Sequence, residues 1–381
     1  MQIVRKMVFC LLMLGVLIWV TGCWDKDEVN DIAVILAAGI EKNDDMIQLT
    51  VQLEAPVTQG STGPQVEVKQ GTGESIFDAM EYLQEKTPRK LFWGHNQVVF
   101  ISKDIAEDGI HEHIDFFARY LETRLRTYVF VTDENIVDLM NVTPTLGLNA
   151  GEITKEIAQF QTGMNMDIRK ALVMANNDID TLAIPWLELD TEDPLISYRV
   201  NGIAIFKQNK MIAQLDDELT RGVLWVRDEI KQTSVTIRPD EAEKGYISFQ
   251  LIESKTKVTP QYENGQWTIT LDIQTIDDVT QNGTNLNVMK RKTRKKLEKQ
   301  LAEHIKTRIE SMLEIVQKEA SADILNIGST IYRKDPNEWK KIKDQWNEKF
   351  RDIDININVS AKIQRPGSST KPQGLPEKKG K

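Results

Sequence analysis

The sequence predicts an α+β chain of several domains, with mixed and antiparallel sheets against packed helices and an N-terminus anchored by lipid. Three observations carry that expectation. Stretches alternating apolar and polar residues with period two recur in both halves and several end in tight-turn residues. A stripe at helical spacing, Leu297, Leu301, Ile305, Ile309, Met312 and Val316, marks one long amphipathic helix. A short apolar run near the start ends in a cysteine. The 381 residues exceed what one ordinary core organises, so two or three domains are expected, and 40% hydrophobic with 28% charged residues is the composition of a chain that folds.

The N-terminus reads MQIVRKMVFCLLMLGVLIWVTGC. Arg5 and Lys6 precede an apolar stretch from Met7 to Val20, and small residues follow, the layout of a secretory signal peptide. As a helix the stretch would be about 21 Å long at ~1.5 Å per residue, short of the ~30 Å hydrocarbon layer. Val20-Thr21-Gly22-Cys23 looks like a bacterial lipobox: aliphatic, small polar, glycine, cysteine. The Cys23 thiol can carry a thioether-linked diacylglycerol, and several acyl chains hold a protein to a bilayer where one alone is marginal. Cys23 is therefore the expected lipidation site. Cleavage before it removes Cys10, so no internal disulfide can form.

Loss of Arg5 and Lys6 with the leader takes the formal charge from −9 to −11. So acidic a chain is a poor general nucleic-acid binder, and its bulk charge repels an anionic membrane.

After the leader, Ile32–Ile40 and Met46–Glu54 read as two strands of a hairpin turning at Asn43-Asp44-Asp45, with a short strand at Val66–Lys69. A helix should start near Ser75, because Ile76, Ala79, Met80 and Leu83 share one face. The preceding Gly71-Thr-Gly73 resembles part of a nucleotide loop. The third glycine is missing, as is the acidic residue ~20 positions on, so a flexible helix entry is the reading. Strands follow at Gln97–Ser102 and Arg126–Thr132, and helices near His111–Leu121, Asp133–Met140, Glu152–Gln161 and Asp167–Asn176, without a regular βαβ repeat.

A new unit opens near Val200. Gly202–Phe206 and Met211–Leu215 form a hairpin, and a helix runs from Asp217 to Ile230. Tyr246–Val258 and Trp267–Ile276 flank Asn264-Gly265, a dipeptide suited to the positive φ angles of a tight turn. The long helix, a shorter one around Trp339–Phe350 and a strand at Ile353–Ile363 complete it. The expected division is a signal peptide over 1–22, an α+β region over 23–199 with room for two subdomains, an α+β domain over 200–363 and a disordered tail over 364–381.

No catalytic, cofactor-binding or metal-ligating residue is nominated. His111 and His113 fall in a helical stretch, where i and i+2 diverge. No nucleophile elbow, zinc-protease motif or phosphate loop occurs. Lys290-Arg-Lys-Thr-Arg-Lys-Lys-Leu-Glu-Lys299 is the sharpest charge feature. It is either a solvated helix start or a contact for anionic headgroups or an acidic partner, and its charge opposes the helix dipole.

Gly22-Cys23-Trp24-Asp25 through Glu28, Asp31 and Ala33 resembles the start of the Ger(x)C family, the lipoprotein C subunits of nutrient germinant receptors in endospore-forming bacteria. Leu91-Phe-Trp-Gly94-His95 leading to Ile101–Ile110, Asn201–Phe206 through Leu215–Gly222, and Asp323–Gly328 with Trp339 and Trp346–Phe350 fit the same family in the same order. At Asn326-Ile327-Gly328 family members more often carry glycine earlier, so the local turn is expected to differ. The resemblance implies a non-enzymatic subunit without cofactor on the outer face of the spore inner membrane. It implies assembly with a membrane-embedded A subunit and a transporter-like B subunit, and leaves contact with the nutrient open. From the residues alone, the competing readings are a substrate-binding lipoprotein of an uptake transporter, which needs two lobes of βαβ units, and a surface hydrolase, which needs a reactive constellation.

Overall fold

The structure, a computed structural model, describes residues 31–55, 66–142, 148–160, 163–191 and 196–365, with the single positions 2, 5 and 367. Cys23, all of the expected signal peptide except positions 2 and 5, and nearly all of the expected tail lie outside the described residues.

Two sheets organise the molecule. The first opens with the expected hairpin, β1 (Ile32–Asn43) and β2 (Met46–Glu54), turned at Asp44 with φ of +54°. β3 (Val66–Gly73) pairs with β2 and runs further than Lys69. Its last residues correct the flexible helix entry. Gly71 and Gly73 are strand residues, and a Cβ on either would lie 2.2 or 2.4 Å from Ala79 backbone atoms of α1 (Ile76–Glu85). They are glycines because helix backbone lies directly against strand backbone. Ser75 caps α1 by accepting from Asp78 N.

β4 (Lys90–Phe92) and β5 (Val98–Ser102) both run parallel to β1, and β6 (Tyr128–Thr132) runs parallel to β5. The helices α2 (Lys103–Asp108) and α3 (His111–Arg119) connect β5 to β6. α4 (Ile136–Asn141), α5 (Ala150–Phe160) and α6 (Ile168–Ala175) lead on to β7 (Thr181–Asp190), which touches β6 in parallel at Val131 and Trp186. A run of parallel crossovers therefore stands where no βαβ repeat was expected. β5 and β6 are only five residues long and their apolar faces are covered on both sides, so they show little alternation. Ile101, Val129 and Val131 join a core with α1, α2, α3 and α6; Val98, Phe100 and Phe130 face α4 and α5.

β7 pairs antiparallel with β8 (Ser197–Lys207), and β8 with β9 (Lys210–Leu215) through a turn in which Gln208 and Asn209 both have positive φ. The expected boundary at 199/200 thus falls inside β8. At the hairpin tip the Asn209 side chain accepts from Ile110 N and His111 N, supplying α3 with the cap its own sequence lacks.

The second sheet holds β10 (Ser234–Ile237), β11 (Ile247–Glu263), β12 (Gln266–Asn282) and β13 (Asp354–Arg365). Asn264 and Gly265, both at positive φ, turn β11 into β12 as the dipeptide predicts. β12 and β13 are parallel, which requires the long helical crossover between them. That crossover starts with α8 (Arg291–Leu313), whose part of the predicted stripe, Leu297 to Met312, is buried between α7 (Asp217–Val226) and the sheet, Val316 being buried in the turn that follows. It continues through a π-helical turn (Glu314–Glu319), α9 (Ile327–Lys334), α10 (Pro336–Ile342) and α11 (Trp346–Asp352).

Candidate functional site at the domain junction

The segment between the π-turn and α9 joins the two sheets. Asp323 is fully buried in it. Its Oδ1 accepts from Leu325 N (3.2 Å) and Ile327 N (3.1 Å), and its Oδ2 from Gly328 N (2.6 Å) and Trp346 Nε1 (3.0 Å). Burial pushes this carboxyl up from its ordinary range, and the four N–H donors oppose the shift. The carboxylate thereby closes the entry to α9 and pins α11 to it.

Asn326 makes the turn, with φ of +64°. The expected departure from glycine is accommodated because asparagine tolerates the left-handed region. Gly328 is required for a different reason. A Cβ there would lie 2.7 Å from Trp339 Cη2 and 2.9 Å from Trp346 ring atoms. Those indoles pack edge to face with centroids 5.0 Å apart, and Trp346 also meets Phe350. Buried Gln317 donates to Phe350 O and Ile353 O, both at 2.8 Å, holding the end of α11.

Two bonds tie the same segment to the first sheet: Thr181 Oγ1 donates to Asp323 O at 2.9 Å and Lys207 Nζ to Ala320 O at 3.2 Å, while Arg227, at the end of α7, donates to Ile324 O at 3.2 Å. Lys343 pairs with Asp178 at 3.1 Å. A groove of about 490 Å³ runs beside this junction, between α6 and the start of α9, with Arg169, Val173, Met174, Arg227 and Asn326 among its walls. Asp323 was legible in the sequence only as part of a family match. The available signal was an acid set among apolar residues, Ala322-Asp323-Ile324-Leu325.

The features singled out from sequence are dispersed. His111 is exposed on α3, whereas His113 is buried and desolvation holds its imidazole below the ordinary value. The basic stretch forms the first turns of α8. Lys296 pairs with Glu241 at 2.7 Å and Arg294 approaches Glu298 at 4.0 Å, while Arg291, Lys292, Lys295 and Lys299 are exposed without an ion pair among the described residues. Buried Asp323 is structural by its partners.

Fold and junction define a two-sheet α+β protein in which the buried junction carboxylate, Asp323, serves backbone N–H groups and an indole. Two family models match it: "Spore germination protein N-terminal domain" over residues 25–189 and "Spore germination B3/ GerAC like, C-terminal" over 201–367. The chain belongs to this spore germination family. It is 26% identical to spore germination protein KC of Bacillus subtilis, over 97% of this chain and 98% of that protein. It is 24% identical to spore germination protein B3 of the same organism, over 92% and 96%. A solved structure described as the crystal structure of the GerBC protein shares the fold, with a TM-score of 0.55 and 19% identity over 86% of this chain and 96% of that one.

Proposed function

We propose that the protein is the lipid-anchored, non-enzymatic C subunit of a nutrient germinant receptor. The observation that carries this reading is the match of both family domains, in order, across most of the chain. Acylated Cys23, following the Val20-Thr21-Gly22 lipobox, holds it to the outer face of the spore inner membrane. There it assembles with the A and B membrane subunits, and anchoring raises the local concentration of each for the others. The uptake-transporter reading gains some support from the parallel strands β1, β5 and β6. The second sheet, three antiparallel strands and one parallel pair, does not supply the matching lobe.

Release of dipicolinic acid from spores lacking the gene tests the receptor role. Loss of the response to one set of nutrients, with non-nutrient germination intact, is expected. A normal response to every nutrient after deletion of paralogues as well would remove the assignment. For the anchor, the Cys23→Ala variant should leave the detergent phase; its retention there would show that Cys23 is not the lipidated residue.

A further inference from the structure

We infer that one edge of the first sheet is a membrane-contact face that engages anionic phospholipid headgroups directly, in addition to the acyl anchor. The inference rests on the anchor reading for its geometry and on the described residues for its chemistry.

Strand direction defines the edge. β4, β5 and β6 are aligned in parallel with β1, with Val34 opposite Phe92, Ala37 opposite Val98 and Val98 opposite Tyr128. The N-terminal ends of β1 and β4 therefore lie side by side, and β5 and β6 start level with each other opposite Ala37, further along β1 in the same direction. Seven residues separate Cys23 from Asp31, the residue before β1. Fully extended, they reach at most about 28 Å at roughly 3.3–3.6 Å per residue. This edge is the part of the folded protein that the anchor keeps nearest the bilayer.

Its composition opposes that of the rest of the chain. The two segments that line it, 86–95 and 119–126, contain six Lys and Arg residues and one acid, Glu122, within a mature chain of net charge −11. All six, Lys86, Arg89, Lys90, Arg119, Arg124 and Arg126, are exposed. Arg119 pairs with Asp115, Lys86 lies over the Tyr82 ring and Lys90 acts electrostatically on Tyr120. Between these cations stand apolar side chains turned outward. Leu121 is 99% exposed, Leu125 43% and Phe92 36%. Basic residues around protruding leucine and phenylalanine match the layering of an anionic headgroup region over acyl chains.

The loop that carries Leu121 is held in place. Thr123 N and Thr127 N donate to Tyr120 O and Arg124 O, both at 3.0 Å, and Thr127 Oγ1 donates to Asn96 O at 3.0 Å. Tyr120 packs edge-on against fully buried Trp93, which also meets Phe117. Leu121 is thus presented by a braced turn, with little left to order on contact.

The test uses the chain from residue 23 with Cys23→Ser, so that no acyl chain contributes, in co-sedimentation with phosphatidylcholine vesicles and with vesicles containing one-third phosphatidylglycerol. Binding to the anionic vesicles alone, weakening as salt rises, is expected. Combined Arg89→Glu, Arg124→Glu and Arg126→Glu should weaken it at least ~100-fold, at roughly fivefold per charge near the surface. Leu121→Ser should weaken it at constant charge. Lys292→Glu with Lys295→Glu, in the exposed basic turns of α8, should leave it unchanged. Absence of binding by the folded parent, or loss through the α8 variant but not the edge variant, would overturn the inference. Vesicle binding that persists although Cys23→Ala stays in the detergent phase would instead retain this face and reject the anchor.

Discussion

Two buried aspartates show how environment sets the role of one residue type. Asp323 has four N–H donors, two on each oxygen. Asp323→Ala should destabilise the fold by about 3–5 kcal/mol, because buried donors would lose their acceptor. Asp323→Asn should cost nearly as much, since its NH₂ would face N–H groups; urea denaturation of both variants measures this. Asp277, on the inward face of β12, has one donor, Thr275 Oγ1 at 2.6 Å, and burial pushes its carboxyl from 3.8 up to about 6. The folded state then holds the proton more tightly than the unfolded chain. Its contribution is most favourable below pH 3.8, declines as pH rises to about 6 and stays low above that. Asp277→Asn should therefore stabilise the protein at pH 7 by roughly 2–3 kcal/mol. Melting temperatures at pH 7 and pH 4 check the sign, because the gain should vanish toward pH 4.

At the scale of elements, close backbone approach decides what hydropathy does not. β3 and α1 touch through Gly71 and Gly73, and the nearest obstacles to an added Cβ are backbone atoms, which cannot rotate away. Gly71→Ala should destabilise by about 1–3 kcal/mol, read as a lower denaturant midpoint with an unchanged slope. The hairpins β1–β2, β8–β9 and β11–β12 were legible because their turn residues sit at positive φ between alternating strands. β7 was not. Its apolar run contains Pro185, which argues against a central strand, and the chain accommodates it beside a bulge between Pro185 and Leu187. The Trp339–Phe350 helix was expected as one piece. It is two helices, α10 and α11, joined by a 3₁₀ turn that brings both indoles onto Gly328.

For the whole molecule, the first sheet crosses the boundary that the sequence suggested. β8 is bonded along its length to β7, and its Ile203–Phe206 run is buried. A fragment comprising residues 200–363 would expose that run and an open edge, so it should aggregate rather than behave as a folded monomer, as size-exclusion chromatography would show. By itself the sequence determined the turns, the buried stripe of α8, the alternation of β13 and membership of the family. Each of these depends on neighbours along the chain or on a linear motif. Only the tertiary structure decided the parallel order of β1, β5 and β6, the partners of Asp323 and the edge that gathers Phe92, Leu121 and six cations. Parallel strands are joined through long crossovers, and Trp346 reaches back to Asp323, 23 positions earlier in the chain. Such pairings are selected by burial and complementary packing in three dimensions, which local periodicity does not encode.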